Sequence, residues 1–372
     1  MIRRDRNHPC ILAWELSINE IKMPDKFMED IVNLGHEEQP GSYIAGWRKD
    51  KSYDIYIEAR QHRKEAWKQK PLIVSEYGDW EYYAMNAGLE QDKWQDMLQE
   101  ERSSRQALGT GEARLLQQAT NVQEAHNDNL LTLAFADGYW VMFDYNRGYV
   151  NDLEESGIMN LFRLPKFAYH FFASQRDHNL NTVFSKPVLN IASYWQPGVS
   201  KDVRIFSNCD EIQLYIDGKL VGKQRPDNNK ISKNLKHPPF TFNVSCQKAG
   251  TLKAVGYING KKAIEQTVST AGEPYSIELV LDESGNPAKI GCNDVLFVYA
   301  HIKDKRGNLV HQFDKDIHFV VNGDIEIIKN SDPKAEAGIA SVLIKIGQKK
   351  GNATILAEGS GVGKSELNIV IE

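Results

Sequence analysis

The sequence predicts an α/β region in its first half and two all-β sandwiches after it. Two short apolar runs, ILAWELSINE (11–20) and PLIVSEYG (71–78), are typical of buried parallel strands. Each places an acidic residue where its strand is expected to end, Glu20 in the first run and Glu76 in the second. After residue 187 the pattern changes to short alternating strands with turn signals between them. Two pairs there, Asp217-Gly218 and Asn259-Gly260, predict tight hairpins with type I′ turns.

The first half contains five candidate parallel strands, with a long helical pattern (91–129) before the last of them. The strands are expected at 11–16, 42–47, 54–58, 72–75 and 133–143. In a barrel of alternating strands and helices, the active site is built at the carboxyl ends of the strands. Glu20 and Glu76 are therefore candidate catalytic residues.

Four segments, in order, resemble motifs of glycoside hydrolase family 2. RDRNHPCILAWELSINE (4–20) resembles the fourth barrel strand of that family, and PLIVSEYG resembles the seventh. GYWVMFDY (138–145) resembles the eighth strand, and SGIMNLFRLPKFAYHFFASQRD (156–177) the closing helix. The resemblance implies a partial TIM barrel, strands four to eight, at 1–186. Two immunoglobulin-like sandwiches would follow, at 187–274 and 275–372.

The resemblance assigns the two carboxylates to double displacement in a retaining glycosidase. Glu20 would be the acid/base and Glu76 the nucleophile, with ~5–5.5 Å between the carboxyl groups. Mutual repulsion would keep the acid protonated, while hydrogen bonds would keep the nucleophile charged. The alternative for either residue is a strand-end acid that forms a salt bridge or caps the next helix.

Four further residues are candidates for substrate binding. Asn19 resembles the family asparagine that hydrogen-bonds the sugar 2-hydroxyl, or it is an ordinary turn residue. Trp140 resembles the tryptophan platform of the sugar site, or it belongs to the core. Trp80 follows the nucleophile motif closely. Arg60 would hold Glu76 ionised if the two were close, and otherwise it begins a solvated basic helix.

The segment before the closing helix predicts a neutral sugar as substrate. Family members that cleave glucuronides carry Asn-x-Lys before a Gly-Ile pair, and the lysine binds the sugar carboxylate. Here Glu154, Glu155 and Ser156 precede Gly157-Ile158, so the cation is replaced by acids that would repel a uronate. The segment 75–129, from SEYGDWEYYAMNAG through LLQQATNVQEAHNDN, resembles family members that act as β-galactosidases.

Met1 precedes the predicted fourth strand by only a few residues, so this sequence does not supply strands one to three. An incomplete barrel would expose unpaired strand edges and apolar surface. We therefore expect a homo-oligomer or a partner that contributes the missing N-terminal half-barrel. The alternative function is a non-catalytic fragment that serves as a carbohydrate-binding or interaction module.

Other features narrow the class of protein. A net charge of −5 does not favour nucleic acid as a partner, and no apolar run approaches the ~20 residues of a membrane helix. GSGVGKS (359–365) lacks the first glycine of a phosphate-binding loop, because Glu358 stands there, and it predicts a hairpin turn. No cofactor is expected. The resemblance implies a periplasmic or extracellular location.

The four cysteines, at 10, 209, 246 and 292, show no zinc-site spacing, and no metal is expected. Cys209 and Cys246 fall in the same predicted sandwich, where they would either pair or remain as buried thiols.

Overall fold

The computed structural model describes residues 1–18, 21–47, 52–59, 69–77, 106–146 and 153–372. They form two compact units. The first comprises Met1–Arg105, Thr120–Met142 and Asn228–Lys236, and the second comprises Gln106–Ala119, Phe143–Asp227 and His237–Glu372. No described helix has both the length and the apolarity of a membrane span.

The first unit contains a sheet of five parallel strands in the order of the chain. Each strand falls at a position where the sequence predicts one. Its elements are α1 (Ile2–Asp5), β1 (Ala13–Glu15), α2 (Asp25–Glu38), β2 (Tyr43–Gly46), β3 (Ile55–Ala59), β4 (Leu72–Glu76) and β5 (Ala134–Asp137). The core of this sheet includes Ala45, Ile55 and Ile57. Short apolar runs thus form parallel strands, as expected for segments buried on both faces.

Two elements of this region differ from the prediction. The last strand ends at Asp137 instead of continuing to 143, because the chain leaves the ladder at Gly138. Within the predicted helix 91–129, residues 91–105 lie outside the described part. The rest forms a 3-10 helix (Leu108–Thr110) and α3 (Glu112–Asn129), separated by Gly111 at φ +94°.

The second unit begins its sheets with a short antiparallel pair, β6 (Tyr145–Asn146) and β7 (Leu153–Glu154). The helix α4 (Phe167–Ser174) follows, and it buries Phe167, Ala168 and Phe171. This helix lies where the sequence predicts the closing helix, 156–177.

The first sandwich packs a four-stranded sheet, β11-β10-β13-β14, against a three-stranded sheet, β12-β9-β8. Apolar side chains from both sheets, including Ile205, Leu214 and Phe240, form one core. The strands are β8 (Leu189–Ile191), β9 (Val203–Ser207), β10 (Glu211–Ile216), β11 (Lys219–Gln224), β12 (Phe240–Phe242), β13 (Thr251–Ile258) and β14 (Lys261–Ser269).

The second sandwich repeats this architecture with the sheets β15-β16-β19-β18 and β17-β20-β21. Its core includes Val298, Phe319 and Ile355, which come from both sheets. The strands are β15 (Pro274–Asp282), β16 (Val295–Asp304), β17 (His318–Asn322), β18 (Ile325–Ile327), β19 (Ile339–Ile346), β20 (Gly351–Gly359) and β21 (Gly363–Ile371). The prediction of two sandwiches is confirmed.

The predicted tight turns are also confirmed. Asp217 and Gly218 have φ +47° and +79°, and Asn259 and Gly260 have φ +50° and +73°, as a type I′ turn requires. The segment 359–365 joins β20 to β21, with Gly361 at φ +82°. It is therefore a hairpin turn and does not open a helix.

Candidate active site

Glu76 is the last residue of β4 and lies half-buried at the carboxyl end of the parallel sheet. The strand pairs with β3 on one side, where Ala59 is opposite Glu76, and with β5 on the other, where Asp137 is opposite Val74. The ladder between β3 and β4 contains an irregularity near this end, between Glu58 and Ala59. The arrangement presents a carboxylate at the edge of the sheet where parallel α/β proteins build their sites.

Trp140 is held beside the chain that follows Glu76. Its backbone N–H donates a hydrogen bond to the carbonyl oxygen of Tyr77 at 2.9 Å, and the N–H of Gly138 donates to the carbonyl of Val74 at 2.7 Å. The Trp140–Val141 peptide bond is cis, and Trp140 is 38% exposed. An exposed indole fixed next to a strand-end carboxylate suits a sugar, whose C–H face packs on aromatic rings.

A glycine at position 138 suits the close approach of these two chains. A Cβ atom there would lie 3.0 Å from the carbonyl oxygen of Ser75, which is backbone and cannot rotate away. A side chain would therefore push the segment that carries Trp140 away from β4.

Asp137, at the end of β5, is a second strand-end carboxylate at this edge. It accepts hydrogen bonds from His126 Nδ1 at 2.7 Å and from Asn129 Nδ2 at 3.5 Å, both on α3, and from the side chain of Tyr77. Burial alone would raise the pKa of Asp137, but the hydrogen bonds and the charge of His126 outweigh it, so the pKa is lowered. Asp137 is therefore ionised at neutral pH.

The structure describes two of the six predicted site residues. Glu76 and Trp140 are brought to the same edge of the sheet. Asn19, Glu20, Arg60 and Trp80 lie outside the described residues, so their roles stay predictions. Sequence reasoning missed Tyr77, His126 and Asp137. Asp137 could have been found, because it is an acid at a strand end like Glu76.

The segment thought to replace the uronate-binding motif is firmly packed in the second unit. Lys166 is fully buried and donates to Asp144 Oδ1 at 2.7 Å and to the carbonyl of Glu155 at 2.9 Å. The N–H of Gly157 also donates to Asp144 Oδ1, at 2.9 Å. Burial raises the pKa of Asp144 to about 7 and lowers the pKa of Lys166, while the ion pair opposes both shifts.

This packing fixes the backbone at Glu155 and Gly157. Gln118 adds a hydrogen bond from its side-chain amide to the Gly157 carbonyl at 2.9 Å. Glu154 and Ser156 are buried as well. Lys166 is therefore a buried cation that is paired with Asp144. Among the described residues, no three His, Cys, Asp or Glu side chains are grouped as metal ligands.

Comparison with known proteins gives relatives along the entire chain. A β-galactosidase of Thermoanaerobacter pseudethanolicus is 28% identical over 406 aligned positions, covering 100% of this chain and 50% of that protein. A β-galactosidase of Bacteroides ovatus is 29% identical, covering 63% of this chain and 28% of that protein. The aligned part is the C-terminal half of such relatives. These relatives confirm the resemblance to glycoside hydrolase family 2.

Solved structures show the same fold as this chain. A β-glycosidase from Bacteroides vulgatus superposes with a TM-score of 0.76 at 18% identity, covering 99% of this chain and 52% of that one. A family 2 β-glucuronidase superposes with a TM-score of 0.72 at 20% identity, covering 99% of this chain and 39% of that one. Residues 198–264, in the first sandwich, match a family model described as a domain of unknown function, DUF4982.

The chain spans about half the length of two curated relatives that it matches over most of its sequence. Some relatives are called β-galactosidases and others β-glucuronidases. The names of these relatives share glycoside hydrolysis and differ in the sugar.

Proposed function

We propose that this chain carries the nucleophile of a retaining β-glycosidase that acts on neutral β-linked sugars, with β-galactosides as the first candidate. The observation that carries the proposal is Glu76 at the end of β4, next to the chain segment that fixes the exposed indole of Trp140. The family relationship supports the reaction class.

In the proposed reaction, Glu20 donates its proton to the glycosidic oxygen while the Glu76 carboxylate attacks the anomeric carbon. The bond to the leaving group breaks and a covalent glycosyl-Glu76 ester forms. Glu20, now ionised, removes a proton from water, and that water releases the sugar and restores Glu76. Asn19 would bind the 2-hydroxyl, Trp140 and Trp80 would contact the sugar, and Arg60 would add positive charge.

We also propose that the five-stranded parallel sheet is strands four to eight of a TIM barrel, within a domain at 1–186. The sandwich domains would then cover 187–274 and 275–372. The order and parallel direction of the strands support this division. The remaining strands would come from the N-terminal half-barrel or from a second copy of the chain.

The preference for a neutral sugar rests on the acids at 154 and 155. No cation stands at either position, and the nearby Lys166 is buried against Asp144. A sugar carboxylate placed where the resemblance expects it would meet negative charge and no cation, which is costly.

The deciding experiment is covalent trapping. The chain is incubated with 2-deoxy-2-fluoro-β-galactosyl fluoride, and the modified residue is located by mass spectrometry. We expect one sugar on Glu76, and we expect Glu76→Gln to lower turnover of nitrophenyl β-galactoside by about 10⁴-fold or more. Glu278→Gln, on β15, is the matched control and should change neither result.

The sugar is tested with nitrophenyl β-galactoside, β-glucoside, β-mannoside and β-glucuronide in parallel. Preferred hydrolysis of the glucuronide would contradict the neutral-sugar proposal. A chain that is neither labelled nor active would contradict catalysis by this chain. Binding of a polysaccharide without cleavage would then favour the carbohydrate-binding alternative.

A further inference from the structure

The carboxylate of Asp137 joins three separate elements at the carboxyl end of the parallel sheet. It belongs to β5, it accepts hydrogen bonds from His126 and Asn129 on α3, and it accepts one from Tyr77, which follows Glu76 directly. The shorter of its two bonds from α3 is the 2.7 Å bond from His126 Nδ1. The helix is thus tied to the strand end through a charged acceptor, which makes a stronger bond than a neutral one.

Tyr77 has contacts on both its side chain and its backbone that restrict its position. The residue is 4% exposed, and its ring meets the ring of Tyr139 edge-on, with 5.7 Å between ring centroids. Its carbonyl oxygen accepts the N–H of Trp140 at 2.9 Å. A shift of Tyr77 would therefore move the backbone next to Glu76 and the backbone of Trp140 together.

A role in stability alone would not require a largely buried carboxylate with these hydrogen bonds. An apolar cluster of similar volume would stabilise the sheet without the desolvation that a largely buried carboxylate entails. Hydrogen bonds differ from apolar contacts because they fix direction as well as distance. A polar network at a strand end is thus suited to hold a neighbouring group in one orientation.

We propose that Tyr77, His126 and Asp137 are positioning residues that hold Glu76 and Trp140 in the orientation needed for attack on the sugar. The claim that these residues assist catalysis rests on the proposed function. The claim that they fix the positions of Glu76 and Trp140 rests on the hydrogen bonds described above. None of the three residues needs to touch the substrate. His126 fixes Asp137, Asp137 fixes the Tyr77 side chain, and Tyr77 fixes the two groups beside it.

The structural part is tested by amide hydrogen exchange in a peptide that covers 134–142. In His126→Ala we expect the protected amides of Gly138 and Trp140 to exchange about 10-fold faster or more, because Tyr77 loses its support. In His126→Asn the side-chain N–H replaces Nδ1, so protection should return toward the original rate. Unchanged exchange in His126→Ala would overturn the proposal whether or not the chain is active.

A matched control exists in the second unit. His237 Nε2 contacts Asp177 Oδ1 at 2.8 Å, with side chains 18% and 20% exposed, compared with 15% and 21% for His126 and Asp137. His237→Ala therefore removes the same kind of pair at the same burial. It should leave exchange in 134–142 unchanged. An equal acceleration would show a general loss of stability and would contradict a local role.

The catalytic part is tested by the rate at which the fluorosugar labels Glu76. A misplacement of about 1 Å can reduce a reaction by about 10²-fold. His126→Ala should thus lower the maximal labelling rate by 10- to 100-fold, with half-saturation changed less than about twofold. His126→Asn should recover most of the rate. Full labelling in His126→Ala would overturn the positioning role, whereas an unlabelled parent chain would overturn only the proposed function.

Discussion

Phe319 and Phe135 both lie on strands, but the sheets to which they belong cover them very differently. Phe319, on β17 of the second sandwich, is 1% exposed, while Phe135, on β5 of the parallel sheet, is 52% exposed. A sandwich strand meets the second sheet of the same domain. A parallel strand depends on elements from elsewhere in the fold, because such sheets are normally covered on both faces.

The same contrast extends to other residues of the two regions. Leu12 and Leu133, which border β1 and β5, are 64% and 67% exposed. In the second sandwich, Val298 and Ile355 are completely buried. The sandwiches are therefore self-sufficient units of packing. The parallel sheet, which carries Glu76, leaves apolar surface that further barrel strands would bury, and this supports the proposed half-barrel.

Replacing each phenylalanine by alanine tests this comparison most directly. Phe319→Ala should lower the free energy of unfolding by about 3–5 kcal/mol, because it removes a buried ring and leaves a cavity. Phe135→Ala should change it by no more than about 0.5 kcal/mol, as expected for an exposed position. Denaturant unfolding of both variants, at several protein concentrations, measures the two effects.

The Phe135 result also tests whether the surface is free. A loss of about 2 kcal/mol or more in Phe135→Ala, with a dependence on protein concentration, would mean that a second copy covers it. The assumption that the sheet surface is open in the isolated chain would then be wrong.

The sequence was informative wherever a local signal decides the structure. Asp217-Gly218 and Asn259-Gly260 predict their turns because only a few residue types adopt positive φ at both positions. Glu76 was found because an apolar run of strand length ends there. These features depend on neighbouring residues and on little else.

Features that depend on distant residues were not predictable in this way. The apolar run 133–143 does not indicate where β5 ends. That end is set by the approach of Gly138 to Val74 and Ser75. The bond from His126 to Asp137 joins the end of a helix to the end of a strand, and no periodic pattern marks it. Complete burial of Lys166 likewise contradicts the usual preference of lysine for solvent.

A second prediction concerns how the self-sufficient unit responds to acid. His170, on α4, and His311 line a cavity of about 240 Å³ in the second unit, and His311 stacks on Tyr194 with 3.8 Å between centroids. Burial lowers the pKa of each histidine to about 4. Both are therefore neutral in the folded chain at pH 7.

Because the unfolded chain has histidine pKa values near 6.5, it binds protons first as the pH falls. The stability that these residues confer is fully present above about pH 6.5 and is lost progressively between there and about pH 4. At pH 5 the loss should be roughly 2 kcal/mol for each histidine. Chemical unfolding between pH 7.5 and pH 5 measures it.

Carboxylates also titrate in acid, so the matched comparison is a His170→Gln, His311→Gln double variant. Its stability should depend less on pH in this interval than that of the parent chain. Equal slopes for the two proteins would show that these histidines are not responsible. The parallel sheet, monitored by hydrogen exchange in 69–77, should show no effect of the double substitution beyond that of global unfolding.

The smallest effect on stability is expected from a reducing agent, because packing and not disulfide cross-linking holds the sandwiches together. Cys209 and Cys246 are buried free thiols in the first sandwich, and burial is the largest cause that raises their pKa. Cys10 and Cys292 are exposed and free. A thiol reagent should therefore label two cysteines in the native chain and all four after unfolding.

The melting temperature should be the same with and without dithiothreitol. A lower melting temperature in dithiothreitol, with only two thiols titrated after unfolding, would reveal a Cys209–Cys246 disulfide and would make the first sandwich less self-sufficient than its core indicates.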